Sequence, residues 1–195
     1  MVEVYQFRIY LREISPAIWR RVLLRSDQTL TDLHYTLQII MDWSGFHLHR
    51  FTIRGRYYET SSYNPVELAS FNFRHHERFL YEYDFGDLWQ HEIRLEKRLS
   101  LDPKKNYLVC IGGSRSSPEE DCGGPIAFMA LESHYSLPYM ADILWRVVEG
   151  ELSRDDYWEE LQAFTYWLRV HHFDRRSVNR RLRQYAVGNE EWRWS

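Results

Sequence analysis

Residues able to do chemistry fall in four places along this chain. The first is Tyr83-Asp84-Phe85-Gly86-Asp87-Leu88-Trp89-Gln90-His91. It sets two carboxylates, Asp84 and Asp87, ahead of the imidazole of His91. A carboxylate brought close to a histidine serves as general base and orienting partner, or as a metal ligand. The same residue types also have an architectural use. Asp ends turns, and a histidine on an aromatic strand face is an ordinary core residue, the use favoured for His91 taken alone. The second place is the loop from Arg115 to Gly124. Glu119, Glu120 and Asp121 gather negative charge beside Gly123 and Gly124, whose bare backbones admit close approach. Such an oxygen-rich loop suits a divalent cation. It lacks the alternating ligands of an EF-hand and the Gly-Lys-Ser/Thr of a phosphate loop. A solvated acidic turn has the same composition, and both readings stay open.

The third place is His47-Leu48-His49. Two histidines at i, i+2 on a strand share a face and can chelate one ion; packing against rings is the commoner use of that pattern. His75-His76 and His171-His172 cannot chelate from one strand face. The fourth is the stretch Arg169 to Arg183. Arg175, Arg176, Arg180, Arg181 and Arg183 could meet nucleic acid there, but pairing with the acidic stretch 149–160 is the favoured reading. Together these residues define the expected site. Asp84, Asp87, His91, Glu120 and Asp121 are its catalytic candidates, and Arg115, Gly123 and Gly124 its ligand contacts. A divalent metal would sit on His49, Asp87 and His91. No Gly-x-Ser-x-Gly, His-Glu-x-x-His, dinucleotide or kinase signature is present.

The elements that must position these groups follow from periodicity. Residues 3–11 alternate as a half-buried strand, Ser15-Pro16 breaks it, and 18–25 form a second strand antiparallel to the first. Thr29 to Asp32 is a capping box, and Leu30, Leu33, Leu37, Ile40 and Met41 give a helix of about three turns. Period two returns at His47, His49, Phe51 and Ile53. Residues 59–76 are polar and loop-like. The hairpin after them should place Tyr83 opposite Trp89 and Tyr81 opposite His91, with Glu82 facing Gln90 on the wet side and Gly86 supplying a positive φ. Tyr107 to Ile111 is a buried strand. Beyond the 112–124 loop the chain turns helical. One helix follows Pro138, a second capping box lies at Ser153 and Asp156, and a short helix begins near Ser177. The tail from Gly188 should fray, with Trp192 and Trp194 free to dock.

Strands therefore fill 3–111 and helices 125–185, apart from one early helix. The expectation is one α+β domain over 1–195, with an antiparallel sheet covered by the C-terminal helices and a tail at 188–195. At 195 residues the chain can bury a real core. A net charge of −3 argues against whole-surface nucleic-acid binding. All but three basic residues are arginine, a skew that codon bias accounts for. No apolar run is long enough for a membrane span, and the first residues lack a secretory pattern. A cytoplasmic protein with reduced Cys110 and Cys122 is expected.

Four segments together resemble one known family. They are Trp43 with His47-Leu48-His49-Arg50-Phe51; Tyr81-x-Tyr83-Asp84-Phe85-Gly86-Asp87-x-Trp89-x-His91; Gly113-x-Arg115-x-x-Pro118-x-Glu120-Asp121-x-Gly123-Gly124; and Phe173-Asp174-x-x-x-Val178-Asn179-x-x-Leu182-Arg183. In this order they resemble the plasmid pRiA4b ORF-3-like family over roughly residues 3–185. The resemblance implies an α+β domain of bacteria and archaea, often near plasmids or mobile elements, with no characterised activity. Some members carry an insertion-sequence passenger label with a resolvase-like name. A serine recombinase needs a nucleophilic serine among arginines and a DNA-binding module, and neither is identified here. Two positions depart from the family pattern. Glu119 replaces a proline, and Ala127-Phe128 stands where Gly-Tyr is usual. The functional expectation is a polar ligand- or metal-binding cleft built from 83–91 and 112–124. The alternative is a protein- or nucleic-acid-binding accessory module of a mobile element.

Overall fold

The computed structural model describes residues 2–60 and 65–193. Part of the polar loop at 59–76, and Trp194, lie outside the described residues. The alternating stretches become β1 (Glu3–Leu11), β2 (Trp19–Arg25), β3 (His49–Ile53), β4 (Arg56–Tyr58), β5 (Arg78–Tyr83), β6 (Trp89–Ser100) and β7 (Val109–Ser114). They form one antiparallel sheet in the order β4-β3-β5-β6-β1-β2-β7. β1 lies inside the sheet between β6 and β2, so its Tyr5, Phe7, Ile9 and Leu11 are buried.

α1 (Leu30–Met41) starts on the expected capping box. Thr29 Oγ1 accepts the Asp32 N–H, and Asp32 Oδ2 accepts the Thr29 N–H. Buried residues occur all round this helix. On the sheet side, Gln38 Nε2 donates to the Tyr81 hydroxyl at 2.8 Å and His34 Nδ1 meets the same oxygen at 2.7 Å. On the other side it meets α5 (Arg175–Ala186), where the Tyr185 hydroxyl donates to Asp32 Oδ1 at 2.9 Å. An interior helix loses water on both flanks, which is why its polar side chains find partners.

α5 begins two residues before Ser177, because Asp174 Oδ1 accepts the Arg176 and Ser177 N–H groups. Between β7 and α5 lie α2 (Gly124–His134), α3 (Leu137–Val148) and α4 (Trp158–Trp167). Pro138 sits in the first turn of α3 as expected. Only part of that helix's apolar face is used: Met140 and Ile143 are buried, while Leu144, Trp145 and Val148 are exposed. The Ser153–Asp156 pair caps nothing, since residues 154–157 form turns and α4 starts at Trp158 without a side-chain cap. The tail docks rather than frays. Glu190–Arg193 is a 3-10 turn, and Trp192 is buried against Tyr35 and Tyr185. Within the polar 59–76 stretch, Leu68–Phe71 also forms a 3-10 turn, and Leu68, Phe71 and Phe73 enter the core. One cluster of buried side chains runs through sheet and helices. No helix among the described residues is long and apolar enough to cross a membrane. Cys110 and Cys122 are unpaired.

Candidate functional site

The β5–β6 hairpin has the register its burial pattern demanded, with Tyr83 opposite Trp89, Glu82 opposite Gln90 and Tyr81 opposite His91. Two details differ. Gly86 is not the residue with positive φ; Asp84 and Leu88 each take φ 55. Asp84 tolerates that conformation because its Oδ1 accepts the Gly86 N–H at 2.9 Å, a local turn that Asp side chains favour. Glu82 is buried rather than wet, because the Arg50 guanidinium covers it at 2.6 Å.

The hairpin tip and the 112–124 loop meet. Gly124, at φ 77, presses on the tip so closely that a Cβ there would lie 2.3 Å from the Asp87 carbonyl oxygen. Only glycine fits. Beside it, Gly123 N–H donates to Asp87 Oδ2 at 3.1 Å, which places a carboxylate at the start of α2, where the helix dipole favours it. Glu120 makes the second joint. Its carboxylate accepts the Tyr83 hydroxyl at 2.6 Å, the Ser44 N–H at 2.8 Å and the Ser44 hydroxyl at 3.0 Å. Tyr83 in turn accepts the Gly45 N–H at 3.1 Å. Burial first, and the Glu120 carboxylate second, push the Tyr83 phenol well up, so it stays a donor. Trp43 stacks on Tyr83 with ring centres 5.2 Å apart and donates its Nε1–H to the Pro118 carbonyl. Residues 43–47, 83–88 and 118–124 are thereby fastened together.

That fastening leaves three groups facing one another. His47 Nδ1 is 3.8 Å from Asp84 Oδ2, and His47 Nε2 is 3.5 Å from Asp121 Oδ1. One ligand atom from each lies within 4.8 Å of the other two. No arginine or lysine bridges either carboxylate among the described residues. Side-chain exposure rises from 12% at Asp84 through 30% at His47 to 75% at Asp121, so the cluster opens to solvent on one side.

The three fastened segments belong to the four that carry the family resemblance; the fourth, Phe173 to Arg183, lies outside the joint. The model of the plasmid pRiA4b ORF-3-like protein family matches residues 3–181. The chain belongs to the plasmid pRiA4b ORF-3-like family. One relative is the uncharacterized protein y4hQ of Sinorhizobium fredii (strain NBRC 101917 / NGR234). It is 28% identical over 135 residues, spanning 64% of this chain and 69% of that protein. A solved relative is the protein of unknown function MM3350 from Methanosarcina mazei Go1. It is 33% identical with a TM-score of 0.62, covering 74% of this chain and 89% of that one. No activity comes with any of these relatives' descriptions.

The pRiA4b motif residues divide by what they touch. Asp84 and Asp121 join the open cluster, while Asp87, Glu120, Gly123 and Gly124 join the fastening. Three histidine and arginine positions do not reach the cluster. His91 is fully buried, edge-on to Trp43 at 5.2 Å and to Tyr81 at 5.4 Å, and neither ring nitrogen has a hydrogen-bond partner of good geometry. Burial drives its pKa down to about 3, so it is a neutral core ring. His49 stacks on His34 at 3.7 Å and shares a hydrogen bond with Thr60. A metal on His49, Asp87 and His91 therefore has no geometric basis: one is sealed, one is stacked away, and one caps a helix. Arg115 is buried, pairs with Glu132 and donates to the Pro16 carbonyl, so it faces α2 rather than a ligand. In the basic stretch, Arg181 turns inward to Asp42 and the Trp192 carbonyl, and Arg175 Nη1 donates to the Ile111 carbonyl.

His47 is the functional candidate that sequence reasoning left out of the site. It was paired with His49 by strand periodicity, but β3 begins only at His49. The residue precedes the strand, in the irregular segment that Tyr83 and Glu120 hold.

Proposed function

We propose that this protein binds a divalent transition-metal ion through His47, Asp84 and Asp121. The observation that carries this reading is the convergence of two carboxylates and an imidazole within 4.8 Å, with no arginine or lysine paired to either acid among the described residues. One nitrogen and two oxygen donors suit Zn²⁺ or Mn²⁺ better than Ca²⁺, which prefers an all-oxygen set. Three protein ligands on a solvent-open face leave coordination positions for water or substrate, the arrangement of catalytic rather than structural metal sites. A bound metal would lower the pKa of such a water and make it a nucleophile. Metal-assisted hydrolysis is therefore the first reaction class to test, with Asp87 and Glu120 as positioning residues.

One observation favours a second reading. Each nitrogen of His47 faces a different carboxylate, as a protonated imidazole bridging two acids would. Calorimetry with Zn²⁺ and Mn²⁺ separates the two. The metal reading predicts one saturable site per chain, weakened at least tenfold in Asp121→Asn. An absence of binding to either metal leaves the imidazolium bridge and overturns the metal site. Hydrolysis of a chromogenic phosphate ester, gained on metal loading and lost in the same variant, would carry the reaction class.

A further inference from the structure

A cavity lies between the ends of α1 and β7 and the start of α5, with a volume of about 360 Å³; its lining includes none of His47, Asp84 and Asp121. This is within the usual range for small-molecule sites, roughly 300–1,000 Å³. Arg20 lines it and is 1% exposed. Arginine carries five N–H donors. Four are given to neutral acceptors: Nε–H to the Ile40 carbonyl, Nη1 to the Trp19 and Ser114 carbonyls, and Nη2 to the Ser117 hydroxyl, each at 2.9 Å. The second Nη2 hydrogen has no acceptor among the described residues.

The charge itself forms no ion pair among the described residues. Asp42 bears on it, but that carboxylate is hydrogen-bonded to Arg181. Asp174 is occupied by the Arg176 and Ser177 N–H groups. Glu119, the remaining acid on the lining, is exposed at the mouth, where water screens it. Cys110 stays a neutral thiol, since burial raises its pKa. Burial lowers the Arg20 pKa to about 10, so the guanidinium remains charged at pH 7. A buried charge without a partner is costly, and proteins normally pair it.

The surroundings match an anion's needs. Phe173 stacks on the guanidinium, with its ring centre 4.0 Å from Cζ. Gly113 permits this, since a Cβ there would lie 2.4 Å from Phe173. Arg169 and His172 stand on the rim, and the Arg169 side chain has no ion pair among the described residues.

We propose that this cavity binds a small carboxylate- or phosphate-bearing molecule, with Arg20 as the buried counter-charge and Arg169 closing over the rim. Planar guanidinium groups suit both anions. The test is an NMR titration of the Arg20 Nε–H resonance in the full chain. Inorganic phosphate and succinate are the probes, with chelator present to silence any metal and sodium chloride matching the ionic strength. The expected result is a saturable shift with at least one probe, and about a tenfold weaker dissociation constant in Arg169→Ala, roughly 1.4 kcal/mol. Which probe saturates decides between phosphate and carboxylate. A shift that only follows ionic strength, or saturation unchanged by Arg169→Ala, overturns the proposal. Because Arg20→Lys risks unfolding, Arg169→Ala and His172→Ala, both on exposed side chains, are the deciding variants.

Discussion

Acidic residues from the same two turns have opposite fates. Glu120, Asp87, Gly123 and Gly124 are spent on the joint: their contacts tie the 112–124 loop to the hairpin tip and, through Ser44, to the segment before β3. Asp84, Asp121 and His47 face one another across an opening and satisfy little else. Acid content alone does not separate them. What separates them is the donor available. Glu120 meets a phenol and a backbone N–H, and Asp87 meets a helix N-terminus. Asp84 Oδ2, whose partner oxygen is held by the Gly86 N–H, and Asp121 Oδ1 face an imidazole that a metal could displace or share. The joint is therefore the scaffold of the open cluster, and the two should respond differently to substitution.

The largest effect should come from Gly124→Ala. A left-handed Ala and a contact with the Asp87 carbonyl must both be relieved, at about 4 kcal/mol in total. At this chain length that lowers Tm by roughly 12 °C in calorimetry, and metal binding should go with it. A Tm within about 2 °C of the parent would deny that the joint holds the turns together. Glu120→Ala should cost about 3 kcal/mol, because Tyr83 and Ser44 lose an ionised acceptor. Its urea midpoint should fall accordingly.

Acid should act through two sealed histidines. His91 and His34 have folded pKa values of about 3, lowered by burial, against about 6.5 when unfolded. The unfolded chain therefore binds more protons as pH falls below about 6.5, and stability drops progressively toward pH 3. Between pH 7 and pH 5 each histidine should remove about 2 kcal/mol. His91→Phe should remove about 2 kcal/mol of that loss in urea titrations at the two pH values; an unchanged loss would mean that His91 is not sealed. The smallest effect on stability belongs to Asp121→Asn. Its exposed side chain should leave Tm within about 1–2 °C of the parent, since surface changes stay within roughly 0.5 kcal/mol.

Much of the joint was legible in the sequence. Alternation fixed the pairing of Tyr83 with Trp89 through burial alone, and Thr29 with Asp32 announced α1. Glu120 and Asp84 could be grouped because both sat in turns at strand ends. Their division of labour could not be read, since it depends on which donor each carboxylate meets across 37 or more residues of chain. His47 was misplaced because period two was carried past the start of β3. The Ser153 box failed because a cap pattern needs a helix that packs, and the chain there turns before Trp158. Arg20 carries a signal in the strand pattern. It shares the buried face of β2 with Val22 and Leu24, a position where an arginine needs an explanation.

The most direct test of the division between joint and open cluster is anomalous diffraction from crystals soaked in Zn²⁺, collected at the zinc edge. A single peak bounded by His47, Asp84 and Asp121, absent from Asp121→Asn crystals with an unchanged backbone, is the predicted result. A peak on the exposed His75–His76 pair, or no peak at the three-residue cluster at full soak, would contradict it.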